Sequence, residues 1–173
     1  EHTRLYDYYE SLDVETEGIW SDYIVETLSR AGFHRYEVSN YALGNHESYH
    51  NKVYWHYENY YGVGIGATGK IDDELISHSR SLTDYLQGKN TIYIEKETIE
   101  DTMFNHLMMS LRLEEGLDLD EFKRRYHHAI EEVYKEALSK NLDNHNLVIE
   151  NNHLKTNHTL DLLNSILLDF LPE

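Results

Sequence analysis

The sequence predicts a mixed α/β chain, with helix and strand alternating in its first half and a mainly helical, winged-helix-like second half. Three observations lead there. Between residues 16 and 31 apolar side chains recur at helical spacing and run through Gly32 into a β-forming stretch. A stronger amphipathic pattern begins at Thr98. Close to the end, LVIENNHLKT reads as a hairpin with helices on both sides.

In order along the chain, Ile19, Tyr23, Ile24, Leu28 and Ala31 make one helical face, and Gly32 stands where a C-cap belongs. FHRYEVSNYA then reads as one mostly buried strand, so that helix, glycine and strand form the αβ half of a βαβ unit. LGNHESYHNK is a polar loop. A second strand is expected over residues 60–71 and a third, pairing with it across Asp72 to Glu74, over 75–81. Leu82 to Leu86 is a short helix and residues 88–91 a linker. Ile99, Met103, Leu107 and Leu111, with Phe104 and Met108 beside them, mark a long helix. Thr98 and Asp101 form its capping box and Gly116 stops the chain soon after it. Helices follow over 120–127 and 129–140, then the hairpin turning at Asn151-Asn152. A last helix carries Leu160, Leu163, Ile166, Leu167, Phe170 and Leu171 on one face.

Composition narrows the function. With 173 residues and 40% hydrophobic content the chain can bury a core. A formal charge of -17, from 32 acidic against 15 basic residues, repels phosphate backbones, so no nucleic-acid partner is expected. No apolar run approaches the roughly 18 residues that cross a bilayer, and EHTRLYDYYE has no signal-peptide core. A cytoplasmic protein without a transmembrane segment is the expectation. There is no cysteine, hence no disulfide, thiolate zinc site or iron–sulfur ligation by these residues. The start at Glu1 reads as an excerpt of a longer protein.

Several motifs compete for a function. Gly64-Ile65-Gly66-Ala67-Thr68-Gly69 matches GxGxxG, but a dinucleotide site needs a helix to open at the third glycine, and KIDDELISHSRS follows. A strand whose glycines let another backbone approach is the favoured reading. His46, His50 and His56, with Glu47 or Glu58, could hold a metal, yet their spacing fits no helical ligand pair, and loop histidines bonded to backbone are the simpler reading. His127-His128 reads as solvent-facing or as a cap partner. No nucleophile elbow, P-loop or triad spacing occurs, and paired acids such as Glu114-Glu115 read as solvated surface. In the block His50-Asn51-Lys52-Val53-Tyr54-Trp55, an imidazole could ligate haem iron while Tyr54 and Trp55 offer flat apolar faces. Packing explains the same tyrosines equally well.

YEVSNYA (36–42), HNKVYW (50–55), YYGVGIGATG (60–69) and MFNHLMMSLRLEEGLDLDEF (103–122) stand in this order at fitting separations. Together they resemble the C-terminal half of the oxygen-independent coproporphyrinogen III oxidase-like family, the HemN/HemW group of radical SAM proteins, from near Thr3 to Leu171. The resemblance implies the last αβ units of an incomplete (β/α) barrel in residues 1–93 and a small winged-helix-like domain in 94–173. It implies S-adenosylmethionine and a [4Fe–4S] cluster in the full-length protein, with the cluster's CxxxCxxC upstream of this chain. HNxxYW looks like the haem chaperone branch. By resemblance His50 is the haem-linked residue and candidate iron ligand, completed by Asn51, Tyr54 and Trp55, and no catalytic residue lies in this chain. Tyr41 and Ala42 fall where the family's barrel strand approaches the adenine of S-adenosylmethionine. One departure is Thr159, where the family often has a glycine.

The function implied is binding of haem or a porphyrin and delivery of haem to acceptor proteins at the membrane. The alternative is the oxidase itself, an oxidoreductase of porphyrin biosynthesis that converts coproporphyrinogen III propionates to vinyl groups through a 5′-deoxyadenosyl radical. A third reading, a winged helix that binds DNA or a partner, needs a basic face. The hairpin has one lysine, and Lys123-Arg124-Arg125 is the sole basic cluster.

Overall fold

A computed structural model describes residues 14–89, 91–157 and 162–171, and the departure at Thr159 lies outside them. The chain divides into two compact units, residues 1–47 and 48–173.

In the first unit, α1 spans Val14–Arg30 and ends at Gly32 as its pattern predicts. Of its apolar stripe, Ile19, Tyr23 and Ile24 are exposed, as is Trp20, which meets Tyr23 edge to face. The strand expected over 33–42 is instead a hairpin, β1 (Phe33–Arg35) antiparallel to β2 (Tyr41–Leu43), with His34 opposite Ala42. Side chains inside YEVSN explain the reversal. Buried Glu37 accepts from the Ser39 amide at 3.1 Å and from Asn40 Nδ2, while Arg35 Nε donates to Val38 O at 3.0 Å. Such local bonds offer the backbone an alternative to extension. The strand after the helix therefore pairs with its own continuation.

The second unit opens with α2 (Tyr49–Trp55), a helix where the sequence suggested a loop. Ser48 starts it, its Oγ accepting from the Asn51 amide at 3.3 Å. A three-stranded antiparallel sheet follows in the order β3 (Thr68–Ile71), β4 (Glu74–His78), β5 (Ile92–Lys96), with α3 (Leu82–Leu86) between β4 and β5. The expected pairing across Asp72 to Glu74 is present, with Lys70 opposite Leu75. The expected strand over 60–71 is regular only from Thr68. Upstream, Tyr60 and Lys70 exchange amide bonds of 2.8 and 2.9 Å, and residues 61–67 loop out between them. The segment 92–96, not anticipated from sequence, is an edge strand exposed throughout.

Helix α4 (Ile99–Ser110) carries the predicted capping box, with the Asp101 amide 3.1 Å from Thr98 Oγ1. Met103, Leu107 and Leu111 are buried as the pattern required. Next come β6 (Leu117–Asp118), α5 (Leu119–Tyr126), and α6 (Ile130–Val133) with α7 (Lys135–Asp143), where one helix was expected over 129–140. The break falls at Tyr134, whose φ and ψ of -119° and 38° leave the helical region. β7 (Leu147–Glu150) and β8 (His153–Thr156) turn at Asn151-Asn152, both at positive φ as a type I′ turn requires, and β8 also pairs with β6. A short helix α8 (Leu163–Leu167) and a 3₁₀ turn (Leu168–Phe170) end the described chain.

Leu107, Leu111, Leu113, Leu117, Phe122, Leu147, Leu154 and Phe170 form the centre of the second unit's core. Gly116 does more than stop a helix: at φ 78°, a Cβ there would lie 2.3 Å from Leu154 O, so this residue admits β8 beside β6. Among the described residues no helix is long and apolar enough to cross a membrane.

Candidate functional site

The HNKVYW block folds as α2, and helical geometry sorts its residues. His50 and Tyr54, four apart, share a face, and Tyr54 Oη lies 3.1 Å from His50 Nε2 with the rings edge to face. Tyr54 also meets Tyr60 edge to face at 4.5 Å. His50 is exposed and Tyr54 half-buried. The result is an imidazole standing on an aromatic wall, with Nδ1 facing no partner among the described residues. If the Tyr54 hydroxyl accepts from Nε2–H, Nδ1 carries a free lone pair, which is what a metal centre requires.

The next face of the helix turns to α4. The Trp55 carbonyl accepts from Ser110 Oγ at 3.2 Å, and the Arg112 guanidinium sits 5.4 Å from the Trp55 ring centre. Trp55 Nε1 is buried with no hydrogen-bond partner among the described residues. Asn51 contributes its amide to the Ser48 cap. The structure thus brings His50 and Tyr54 together and sends Trp55 toward α4. Tyr41 and Ala42 belong to β2 of the first unit, Tyr41 half-buried and Ala42 buried.

The histidine cluster disperses. His34 pairs with Glu47 at 2.9 Å, and His56 with Glu115 at 3.2 Å, where Lys52 joins at 3.4 Å. These contacts, first the hydrogen bond from His56, pull the Glu115 carboxyl down to about 2. Glu115 is therefore bound to α2, not merely solvated surface. Among the described residues no group of three potential ligands could hold a metal ion. His127 caps α5 in the left-handed conformation, and His128 faces Glu132. Of the basic cluster, Arg124 and Arg125 both bind Glu121, so two of its three charges share one carboxylate.

The residues following α2 build a second centre that the sequence did not announce. Tyr57, at φ 54°, donates from Oη to Glu97 at 2.6 Å, while Glu97 also accepts from Asn105 at 2.6 Å. The Tyr57 carbonyl accepts from Arg125 at 3.0 Å, and Lys70 Nζ lies 4.0 Å over the Tyr57 ring. Burial, reinforced by Glu97, raises the Tyr57 hydroxyl far above its ordinary value. His106, also buried, stacks between Tyr57 and Phe122 and touches Tyr126. Burial first, then the Arg125 charge, press the imidazole down to about 3, so it is neutral at physiological pH. Left-handed Tyr57 and the distant partners Lys70, Glu97 and Arg125 converge only through the tertiary fold. The sequence signal for them was nothing more than aromatic density.

The GxGxxG match is structural. The chain enters β3 where a dinucleotide helix would begin, and of the three motif glycines Gly69 serves close backbone approach: a Cβ there would lie 2.7 Å from Gly62 N, whereas one on Gly64 would meet nothing within 4 Å.

Residues 98–158 match the model of the HemN C-terminal domain. The chain is 31% identical over 126 residues to the protein named heme chaperone HemW of Lactococcus lactis, covering 69% of this chain and 32% of that one. It is 36% identical over 99 residues to the HemW of Synechocystis, covering 53% and 24%. Against the Bacillus subtilis HemW it is 27% identical over 129 residues, covering 72% and 34%. It spans about a third of the length of such curated relatives. Among solved structures, the Escherichia coli coproporphyrinogen III oxidase HemN, described as a radical SAM enzyme, superposes with a TM-score of 0.69 at 13% identity. That match covers 92% of this chain and 42% of that chain, and it establishes likeness of fold. The motifs at residues 36–122, the domain match and the HemW relatives agree: the chain belongs to the HemN/HemW family and carries that family's C-terminal domain.

Proposed function

We propose that this chain is the haem-handling part of a HemW-like protein, with His50 as the residue that meets haem iron and Tyr54 as its positioning partner. The observation that carries the reading is the exposed imidazole, held at Nε2 by Tyr54 and open at Nδ1, on a wall of tyrosines. A planar apolar macrocycle suits such a wall, and one nitrogen ligand suits its iron. The names of the relatives support the same choice. Bound haem would supply the ligand-accepting iron; the protein's part is to orient the ring nitrogen and shield one face. Trp55, locked beneath Arg112, supports α2 from behind, and Asn51 belongs to the turn that starts it.

In the full-length protein, delivery of haem to acceptor proteins at the membrane, from the cytoplasm, is the function this reading implies. On the same analogy residues 1–93 hold the last αβ units of an incomplete radical SAM barrel, and 94–173 form a winged-helix-like domain in which β7 and β8 are the wing. A [4Fe–4S] cluster finds no thiolate in this chain, so its ligands belong elsewhere in such a protein. For S-adenosylmethionine, the outer edge of β2 at Tyr41 and Ala42 pairs with no described strand, which leaves backbone groups for an adenine edge.

The test is a haem titration of the chain followed by its Soret band. His50→Ala should weaken binding at least about tenfold and shift the band, while Tyr54→Phe should weaken it less, since the imidazole remains. An unchanged band and affinity in His50→Ala would remove His50 from the reading. Conversion of coproporphyrinogen by the reconstituted full-length protein would favour the oxidase.

A further inference from the structure

Between the start of α4, the end of α5 and the Asp72 turn lies a cavity of about 410 Å³. Its walls carry two cations and two aromatic rings. Lys70 is 5% exposed, and its Nζ donates one bond, to Asp72 O at 2.8 Å. An ammonium has three donors, and no carboxylate among the described residues lies at ion-pair distance from this one. Burial lowers the Lys70 ammonium most and the Arg125 charge next, while Glu97, Asp72 and Asp73 raise it by less. The terminal nitrogens of Arg125 donate to Tyr57 O and to Glu121, and the guanidinium also bonds the Tyr126 hydroxyl.

Glu121 already offsets Arg125 at 3.0 Å, whereas Lys70 has no such carboxylate among the described residues, and a buried cation of that kind is costly unless an anion joins it. The cavity is where that anion fits. Tyr57 and Tyr126 give it apolar walls, with Ile99 at the side. Three carboxylates, Glu58, Asp72 and Asp73, also line it, and of these Asp73 is compensated by Lys96 at 3.0 Å. The remaining negative charge disfavours a doubly charged guest such as phosphate. A single negative charge on an apolar body satisfies both the cations and the walls.

We propose that this cavity binds a small organic monocarboxylate, its carboxylate between Lys70 and Arg125 and its apolar body against Tyr57 and Tyr126. The proposal neither uses nor requires His50, so it stands or falls independently of the haem reading.

The experiment titrates the 173-residue chain with 3-phenylpropionate, and separately with inorganic phosphate, watching the Lys70 Nζ and the Tyr57 and Tyr126 ring signals by NMR. Saturable shifts at these groups with 3-phenylpropionate, and none with phosphate, are expected. Lys70→Met should weaken binding by about tenfold or more. Because removal of a buried lysine can disturb folding, Ile99→Trp provides the second arm: Ile99 is 51% exposed on the first turn of α4, so a larger ring there obstructs the cavity without touching a hydrogen bond. It should leave the amide spectrum folded and abolish saturation. Shifts that never saturate, equal affinity for phosphate, or binding unchanged in Ile99→Trp would each overturn the proposal.

Discussion

The Tyr57 hydroxyl donates a 2.6 Å hydrogen bond to Glu97, forty residues away, and so ties the segment after α2 to the end of β5. The same carboxylate binds Asn105 on α4, which makes Glu97 the junction of three elements. Tyr57→Phe keeps the ring that Lys70 and His106 pack against and removes the hydroxyl that bonds Glu97. A half-buried bond to a charged acceptor contributes about 1.5–3 kcal/mol. Urea unfolding should show a loss in that range with an unchanged m-value, whereas a loss below about 0.5 kcal/mol would mean that the bond is not formed in solution.

His106 predicts an acid-sensitive fold. Its imidazole titrates near 6.5 when unfolded and near 3 when buried, with Arg125 and Lys70 opposing the charge and Glu121 favouring it. The unfolded chain therefore binds the proton first as pH falls. The stability held by neutral His106 is complete above about 6.5 and declines toward about 3, at a slope approaching 1.4 kcal/mol per pH unit. In His106→Phe that part of the slope should vanish from the difference between variant and parent curves. Parallel curves across this window would show that His106 is not buried neutral.

Gly69→Ala tests the close approach of β3 to the loop that precedes it. A Cβ at Gly69 would lie 2.7 Å from Gly62 N and 2.9 Å from Tyr60 O, and both are backbone atoms that cannot swing aside. The expected cost is about 1–3 kcal/mol, with faster hydrogen exchange of the Tyr60 and Lys70 amides that bridge there. Unchanged exchange would show that the two backbones do not meet so closely.

Patterns carried by neighbouring residues were legible. The α4 stripe, the Thr98–Asp101 capping box, the Asn151-Asn152 turn and the β3–β4 pairing all rest on contacts a few residues apart, and sequence spacing encodes such contacts directly. Helix α2 is not legible in the sequence because it is short and begins in polar residues, so no apolar period announces it. The hairpin β1–β2 reads as one strand because its β-formers continue through the turn. Only the bonds of Glu37 and Arg35 to nearby groups reveal the reversal. Strand β5 lies exposed at a sheet edge, where burial patterning is absent.

For the candidate site the division is similar. Linked motifs, from YEVSNYA to the α4–α5 stretch, determined the family, because several segments in fixed order specify more than any one of them. The HNxxYW spacing also marked His50, and a helix brings Tyr54 to it through nothing more than the i to i+4 relation. What only the tertiary structure decided is the company each residue keeps: Trp55 under Arg112, His56 and Lys52 on Glu115, and Lys70 and Arg125 beside one aromatic cavity. The physical reason is range. Periodicity and capping act within a few residues, whereas burial and charge compensation depend on partners tens of residues apart, and the folded chain alone selects those.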